Sequence, residues 1–250
     1  IARLRRFALL LSVVIPVYNE EKLIDKLLLK ISNIKNLNKE IILINDGSTD
    51  GTKKIIEENC KGLYDKFINL DKNHGKGYAL RKGFELVKGD IIIVQDADLE
   101  YDPKDYFKLI EPIINSNYQV VYGSRVLYGA NRTRPKTIDT IIRVLANKFL
   151  THLSNFVNNQ KLTDAHTCYK VFKTDLLKQF SLVENGFNFC PEITAKFSRI
   201  GIKIYEVPIS YNGRTHQEGK KISFIDGFRA IYAIFLYNIV YRKKTNINSD

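Results

Sequence analysis

Apolar runs alternate with segments of helical periodicity through the first half of the chain. Leu11–Val17 is an apolar, β-branched run, typical of a strand that is buried on both faces. We expect Asn19 to be the N-cap of the helix that follows, with Glu20 and Glu21 in its first turn. The apolar residues of that helix share one face: Leu23, Ile24, Leu27, Leu28 and Ile31.

The same pairing of strand and helix recurs along the chain. Strands are predicted at 40–45, 66–70 and 90–95, and helices at 52–59, 77–87 and 103–114. Asp102 is expected to cap the last of these helices ahead of Pro103, with Asp105 as its capping-box acid. Alternating strands and helices imply right-handed crossovers. The prediction is therefore an α/β fold whose central, mainly parallel twisted sheet is flanked by helices.

The alternation weakens from about Val120, and the second half of the chain is less regular. Further strands are predicted at 120–124, 168–172 and 202–207. The boundaries that we infer are an N-terminal extension (1–10), one domain (11–223) with a Rossmann-like half (11–119) and a second half (120–223), and a C-terminal amphipathic helix with a basic segment (224–244).

Positive charge dominates the composition. The 250 residues include 39 Lys and Arg against 27 Asp and Glu, for a formal net charge of +12. Such an excess indicates an anionic partner: a nucleotide, a lipid phosphate, a membrane surface or a nucleic acid. Residues 124–161 hold seven of the cations and a single acid, Asp139, so we expect a basic wall that faces whatever the first half binds. The three cysteines lack C-x-x-C spacing, which argues against a disulfide framework or a zinc site.

Two stretches are apolar enough to raise the question of a membrane. Residues 7–15 follow three arginines as in a signal peptide, but the run is short and continues into the first strand, so we expect no signal peptide. Residues 224–241 are interrupted by Asp226 and Arg229 and should not cross a bilayer. Their aromatic residues and the basic residues 242–244 fit a helix on a membrane surface, and equally a helix packed on the domain.

Polar clusters follow three of the predicted strands, at residues 18–20, 46–50 and 96–98. In an open α/β sheet the carboxyl ends of the strands meet at one edge, where ligands bind, so we expect these clusters to converge. Asp96 and Asp98 are two residues apart and share one side of an extended segment. Such a pair can hold Mg²⁺ or Mn²⁺ together with a substrate diphosphate, or can be two solvated turn carboxylates.

Several common catalytic motifs are missing from the sequence. There is no P-loop, and no G-x-G-x-x-G follows the first strand, which argues against an ATPase and a dehydrogenase. The G-x-S-x-G elbow of α/β-hydrolases is absent, and the four histidines show no metal-ligand spacing. Residues 73–77 (NHGKG) could place backbone N–H groups and a lysine near a phosphate, or simply form a loop.

The motifs taken together resemble a known family. Four of them lie in order at strand ends: VVIPVYNEE (13–21), ILINDGSTDGT (42–52), NHGKGYALRKG (73–83) and IIIVQDADLEYDP (91–103). They look like the inverting family-two glycosyltransferases of GT-A fold. Four more motifs resemble the branch related to dolichyl-phosphate mannosyltransferase and bacterial polyprenyl-phosphate glycosyltransferases: GSR (123–125), LANKFLT (145–151), LTDAHTCYKVF (162–172) and EVPISYNGRTHQEGKKI (206–222). The chain has no tryptophan and so lacks the Q-x-x-R-W motif of processive synthases.

The resemblance implies a donor site in the first half of the chain. The residues it places around the nucleotide are Pro16, Tyr18, Glu20, Asp46 and Ser48, with Lys76 near the diphosphate. Asp96 would bind the nucleotide or support the metal, which is Mg²⁺ or Mn²⁺. Asp98 would coordinate that metal, and Glu100 would join it from a position where a close relative has glutamine.

The resemblance places the acceptor in the second half. Arg125 matches an arginine that meets donor or acceptor phosphate, and Arg143 is a looser match for the same role. Lys220 and Lys221 are further candidates for orienting an acceptor phosphate. An acceptor hydroxyl, in contrast, would need a carboxylate base, for which Asp164 is the first candidate and Glu192 the second.

The predicted function is metal-dependent, inverting transfer of one sugar from a nucleotide-sugar to a dolichyl or undecaprenyl phosphate. The donor would be GDP-mannose, UDP-glucose or UDP-GlcNAc, and the enzyme would sit peripherally on the cytoplasmic face of a membrane. The alternative is non-processive transfer to a saccharide hydroxyl in surface glycan synthesis. Nucleic-acid binding is disfavoured because the cations lie opposite a carboxylate-lined edge and no known binding motif is present. A sugar nucleotidyltransferase is disfavoured because its Gly-rich signature is absent from the first strand.

Overall fold

The computed structural model describes residues 9–133, 138–214 and 224–240. Its strands are β1 (Leu11–Val17), β2 (Lys39–Asn45), β3 (Lys66–Asn69), β4 (Ile91–Val94), β5 (Val120–Ser124), β6 (Asn131–Thr133), β7 (Lys170–Lys173), β8 (Tyr205–Pro208) and β9 (Ser210–Asn212). Its α-helices are α1 (Ile24–Ser32), α2 (Thr52–Asn59), α3 (Lys76–Phe84), α4 (Tyr106–Asn115), α5 (Ile138–Asn158), α6 (Phe189–Arg199) and α7 (Phe224–Phe235). Short 3₁₀ helices cover Pro103–Asp105 and Thr174–Gln179, and a π-helical turn covers Leu236–Val240.

One sheet of seven strands, in the order β3-β2-β1-β4-β7-β5-β8, forms the centre of the molecule. β1 pairs in parallel with β2 on one side and β4 on the other, so Val13 lies between Ile41 and Ile93. All three side chains are at most 4% exposed. β7 runs antiparallel to β4 and β5, whereas β5 and β8 are parallel. The predicted α/β class and mainly parallel sheet are confirmed.

The helices cover the sheet closely enough to leave no room for an extra methyl group at one contact. α3 packs across β1 and β2. A Cβ atom added at Gly83 would come within 2.7 Å of Ile44 and closer still to Val14. Glycine at this position therefore sets the distance between α3 and the sheet. That distance in turn fixes where the N-terminus of α3, with Lys76, meets the carboxyl edge of the strands.

Two of the predicted caps are wrong, and both residues instead make contacts distant in sequence. Asn19 adopts φ 51° and does not cap α1, which begins at Ile24. Its side-chain oxygen accepts a hydrogen bond from Thr49 N at 2.8 Å. Asp102 caps the 3₁₀ turn as predicted, but Asp105 is no capping-box acid, because its carboxylate accepts from Ser210 N at 2.6 Å. Tertiary hydrogen bonds thus replaced the local ones.

The second half of the chain places its strands later than predicted. β7 begins at Lys170 rather than 168, and β8 begins at Tyr205 rather than 202. β6 and β9 pair in parallel as a separate two-stranded sheet. α5 and α7 pack against each other and against α6. Among the helices of the described residues, none is long and apolar enough to cross a membrane.

Candidate active site

The loops after β1 and β2 are fastened to each other at the carboxyl edge of the sheet. Asn19 N donates to Ser48 Oγ at 2.9 Å, and Glu20 N donates to Thr52 Oγ1 at 2.9 Å. Ser48 also bonds Asn45 at the end of β2. The sequence predicted that these two polar clusters would converge, and the structure brings them into contact.

Asp46 shapes the loop that leads into α3. Its side chain is buried, and its carboxylate accepts from His74 N at 2.9 Å, from Gly75 N at 2.8 Å and from Asn73 Nδ2 at 3.0 Å. A carboxylate with three such donors fixes the backbone around it. Asp46 therefore sets the position of Lys76, and direct contact of Asp46 with a nucleotide stays a prediction.

Lys76 forms an ion pair with Asp96 just beyond the end of β4. Burial alone would lower the pKa of Lys76, but the charge of Asp96 outweighs it and raises that pKa above its ordinary value. Burial likewise opposes ionisation of Asp96, and the charge and hydrogen bond of Lys76 hold the pKa of Asp96 below its usual range. Both groups are therefore ionised at neutral pH, with the lysine held at the sheet edge.

Arg214 joins three carboxylates on the other side of β4. Its Nη1 lies 3.2 Å from Glu20 Oε2, its Nη2 lies 3.1 Å from Asp98 Oδ2, and its Nε lies 3.8 Å from Glu100 Oε1. Glu20 follows β1, and Asp98 and Glu100 follow β4, which is the neighbour of β1 in the sheet. The three acids and the arginine are each at most 18% exposed.

Glu100 accepts hydrogen bonds from residues 211–214, the segment that ends in Arg214. Its Oε1 accepts from Arg214 N at 2.8 Å, and its Oε2 accepts from Tyr211 OH at 2.6 Å. Its backbone oxygen accepts from Asn212 N at 2.8 Å. Glu100 thus fastens β9 and Arg214 to the end of β4. Both of its carboxylate oxygens therefore already accept hydrogen bonds, and its part in metal binding stays a prediction.

Asp98 holds its proton more tightly than an ordinary carboxyl group, although Arg214 lies beside it. Burial, reinforced by the charges of Asp96 and Glu100, raises the pKa of Asp98 to about 7 even with Arg214 beside it. Among the described residues, no three His, Cys, Asp or Glu side chains are arranged to hold a metal by themselves. Mg²⁺ usually takes one or two carboxylates and completes its shell with water and substrate phosphate oxygens. The donor set therefore fits a divalent cation held by Asp98 with Asp96 nearby.

Arg125 and Asp164 form a buried ion pair in the second half of the chain. Arg125 donates to Asp164 from Nε at 2.6 Å and from Nη2 at 2.7 Å, and Asp164 is 0% exposed. The Arg125 guanidinium also lies 5.1 Å from the ring centre of Tyr211. Burial opposes the charge of Asp164, but Arg125 and the hydrogen bond from Asn147 outweigh it, and the pKa of Asp164 falls to about 2. The charge of Arg125, counted in the predicted basic wall, is therefore balanced by Asp164.

Arg143 lies on α5, one turn before Asn147, which donates to Asp164 Oδ1 at 3.1 Å. Residues four apart on a helix share a face, so we expect Arg143 to face the same pair. Its contact with a phosphate stays a prediction. Lys220 and Lys221, the other predicted phosphate ligands, lie outside the described residues.

Glu192 is buried and positions a loop. It is 0% exposed, and its carboxylate accepts from Val183 N at 2.7 Å, from Glu184 N at 3.0 Å and from Lys196. These contacts hold residues 182–186 against the N-terminus of α3. Tyr78 N donates to Asn185 O at 3.0 Å across that contact.

Gly77 offers a test of this contact between residues 182–186 and α3. A Cβ atom there would collide with the backbone oxygen of Glu184. We expect Gly77→Ala to lower the free energy of unfolding by about 1–2 kcal/mol, measured by urea denaturation, because neither backbone can yield easily. Gly186→Ala is the matched control, since its Cβ would meet nothing within 4 Å. Equal stability of the two variants would show that the loop is not seated on α3.

Sequence reasoning missed Arg214 and Tyr211 as site residues. Both lie within the quoted motif at 206–222, so the signal was present. Nothing in their spacing shows that this segment returns to the end of β4. That return depends on β9 hydrogen bonding to Glu100, a contact between residues more than 100 positions apart.

Comparison with known proteins gives the family. Residues 12–180 match Glycosyl transferase family 2. The undecaprenyl-phosphate 4-deoxy-4-formamido-L-arabinose transferase of Aeromonas hydrophila is 29% identical over 216 residues, which cover 84% of this chain and 62% of that protein. The UDP-N-acetylglucosamine–dolichyl-phosphate N-acetylglucosaminyltransferase of Methanococcus voltae is 28% identical over 249 residues, which cover 91% of this chain and 95% of that protein.

A solved structure supports the same fold. Glucosyl-3-phosphoglycerate synthase from Mycobacterium tuberculosis, in complex with Mn²⁺, uridine diphosphate and glucosyl-3-phosphoglycerate, superposes with a TM-score of 0.71. The match covers 95% of this chain and 82% of that one at 19% identity. The family that the motifs predicted is confirmed. The chain belongs to glycosyl transferase family 2 and has the GT-A fold.

Proposed function

We propose that the chain transfers a single sugar, with inversion, from a nucleotide-sugar to a polyprenyl phosphate. The choice of a phosphate acceptor rests on the two candidate bases, Asp164 and Glu192, because the carboxylate oxygens of both already accept hydrogen bonds. Asp164 has a pKa of about 2 with both oxygens engaged by Arg125, and Glu192 is buried with both oxygens engaged by loop N–H groups. A hydroxyl acceptor needs a base, whereas a phosphate is already an anion near neutral pH and needs orientation. The two relatives described above carry polyprenyl-phosphate acceptors in their names.

The donor side rests on the edge formed by β2, β1 and β4. Pro16 lies near the end of β1, Tyr18 and Glu20 follow that strand, and Ser48 follows β2; these residues would surround the base and ribose together with Asp46. Lys76 would meet the diphosphate, since it is held there as a cation by Asp96. Asp98 would hold a divalent cation, Mg²⁺ or Mn²⁺, which supplies positive charge to the departing nucleotide. The donor is GDP-mannose, UDP-glucose or UDP-GlcNAc, and pocket shape decides among them.

The acceptor side rests on Arg125 and Arg143. Asp164 fixes the guanidinium of Arg125 and so acts as a positioning residue. A preorganised guanidinium suits a lipid phosphate because its orientation costs nothing at the moment of reaction. Arg143, one turn from Asn147, extends this positive edge.

A membrane surface is the proposed location of the acceptor. α5 and α7 pack side by side, and each bears a row of exposed apolar side chains. They are Ile141, Ile142, Leu145, Phe149 and Phe156 on α5, and Phe228, Tyr232 and Phe235 on α7, each at least 40% exposed. Soluble proteins rarely expose so many large apolar side chains on two neighbouring helices, and the basic residues 242–244 that follow in the sequence would favour anionic lipid. Tyr237, an aromatic residue that follows α7, is buried and donates to Glu184 at 2.9 Å, so this end of the segment packs on the domain.

The apolar rows predict a lipid-binding defect. Leu145→Glu combined with Phe149→Glu should weaken binding to vesicles of anionic phospholipid by more than about tenfold, because each side chain contributes roughly 1.5–3 kcal/mol when buried. Co-sedimentation measures the effect. Leu29→Glu, a change at a 48% exposed residue on α1, is the control and should bind normally. Equal binding by all forms would place the membrane contact elsewhere.

A transfer assay tests the proposed function. Pure protein is incubated with Mn²⁺, each labelled nucleotide-sugar, and undecaprenyl or dolichyl phosphate; the matched control acceptor is the same polyprenol without its phosphate. We expect a lipid-extractable product that releases its sugar in mild acid, and no product from the polyprenol. A product that survives mild acid, or equal use of the polyprenol, would favour transfer to a hydroxyl group.

A further inference from the structure

Arg214 holds the oxygen atom that a divalent cation would need. The ion pair between Arg214 Nη2 and Asp98 Oδ2 is 3.1 Å long, and the same guanidinium lies 3.2 Å from Glu20. The other Asp98 oxygen, Oδ1, accepts from Glu100 N at 3.1 Å. A metal ion on Asp98 and the guanidinium of Arg214 therefore compete for one carboxylate, and two cations at one oxygen repel each other.

The backbone beneath Arg214 is fixed while its side chain has other anions within reach. Arg214 N and Asn212 N both donate to Glu100, and Tyr211 OH donates to the same residue. A change of partner by Arg214 therefore needs rotation of the side chain alone. The side chain is 15% exposed and already lies 3.1 Å from Asp98 at the carboxyl edge of the sheet.

We propose that Arg214 is an internal counter-ion that occupies Asp98 in the nucleotide-free protein and turns to the diphosphate when metal and nucleotide bind. This inference rests on the proposed donor site and concerns its order of loading. Without nucleotide, a metal on Asp98 displaces Arg214 from that carboxylate and leaves it with Glu20 and Glu100, the acids that it already contacts. With nucleotide, the diphosphate accepts Arg214, and the metal and the nucleotide strengthen each other's binding.

Mn²⁺ binding tests the proposal without any sugar transfer. The free Mn²⁺ signal in electron paramagnetic resonance is titrated at pH 8 with wild type, Arg214→Ala and Arg214→Lys, each without nucleotide and with UDP or GDP. We expect Arg214→Ala to bind Mn²⁺ alone at least about fivefold more tightly than wild type, and to lose most of the strengthening that nucleotide gives. Arg214→Lys keeps the positive charge but loses the planar guanidinium group, so its Mn²⁺ affinity should lie between those of wild type and Arg214→Ala.

Controls separate this proposal from the function it rests on. Asp98→Asn should remove Mn²⁺ binding in every background, which locates the ion. Unchanged or weaker Mn²⁺ binding by folded Arg214→Ala would overturn the counter-ion role, as would undiminished coupling to nucleotide. Should the alanine variant not fold, Mn²⁺ binding by Arg214→Lys no tighter than that of wild type would overturn it. A wrong acceptor or sugar would fail the transfer assay and leave these titrations unaffected.

Discussion

Asp98→Ala should abolish sugar transfer while the fold persists. The side chain lies at the sheet edge and supports no core contact, so the melting temperature should stay close to that of wild type. Its carboxylate is the proposed holder of the divalent cation, and such an ion stabilises a transition state by several kcal/mol, so we expect a loss of at least about a thousandfold in kcat/KM. Transfer is measured with the polyprenyl phosphate assay, and folding by circular dichroism.

Asp98→Asn and Asp102→Asn sharpen this experiment. The first keeps the size of the side chain and removes its charge, and should be nearly as inactive as the alanine variant. The second changes an acid four positions away that caps the turn Pro103–Asp105, where asparagine is also a good cap. It should be active and stable. Turnover by Asp98→Ala at the wild-type rate would refute the metal role of this residue.

Arg125→Met should cause the largest loss of stability. Among the residues that the structure describes, this leaves the fully buried Asp164 charge with one side-chain donor, Asn147, and the N–H of residue 125. Breaking a buried ion pair from one side costs about 3–5 kcal/mol, which urea denaturation measures directly. The double variant Arg125→Met, Asp164→Leu removes both charges and should recover most of that loss. A single variant as stable as wild type would mean that the pair is not buried as described.

The ion pair between Arg125 and Asp164 should also make the free energy of unfolding depend on pH in acid. The pKa of Asp164 in the folded protein is about 2, below its value of about 3.9 in an unfolded chain. A depressed carboxyl pKa contributes stability that is fully present above the unfolded value and is lost as pH falls toward the folded one. Between roughly pH 5 and 2, the stability of wild type should therefore fall more steeply than that of the double variant.

The sequence correctly predicted the strands and helices that depend on the local pattern of apolar residues. The run Leu11–Val17 and the helix Thr52–Asn59 lie where their apolar patterns place them, because burial on the sheet decides both. The family motifs likewise mark the loops that meet at the carboxyl edge. Asn19 and Asp105 escaped prediction because each has a cap-like context and a stronger partner far along the chain, Thr49 and Ser210 respectively.

The site was harder to predict than the fold, because its contacts also join residues that are far apart in the sequence. Asp164 looked like a base by residue type, and its pairing with Arg125 depends on β5 lying beside the segment before β7. Arg214 looked like part of a motif, and its contacts with Glu20 and Asp98 join segments that are far apart in the sequence. Residue type shows which chemistry is available, whereas the partner of each charge depends on the folded arrangement.

A crystal structure with UDP or GDP and Mn²⁺ would show directly whether Asp98 holds the metal of the donor site. We expect an ion bound to Asp98, a diphosphate between that ion and Lys76, and a base and ribose against the loops after β1 and β2. A nucleotide bound away from this edge of the sheet, or an ion coordinated without Asp98, would contradict it.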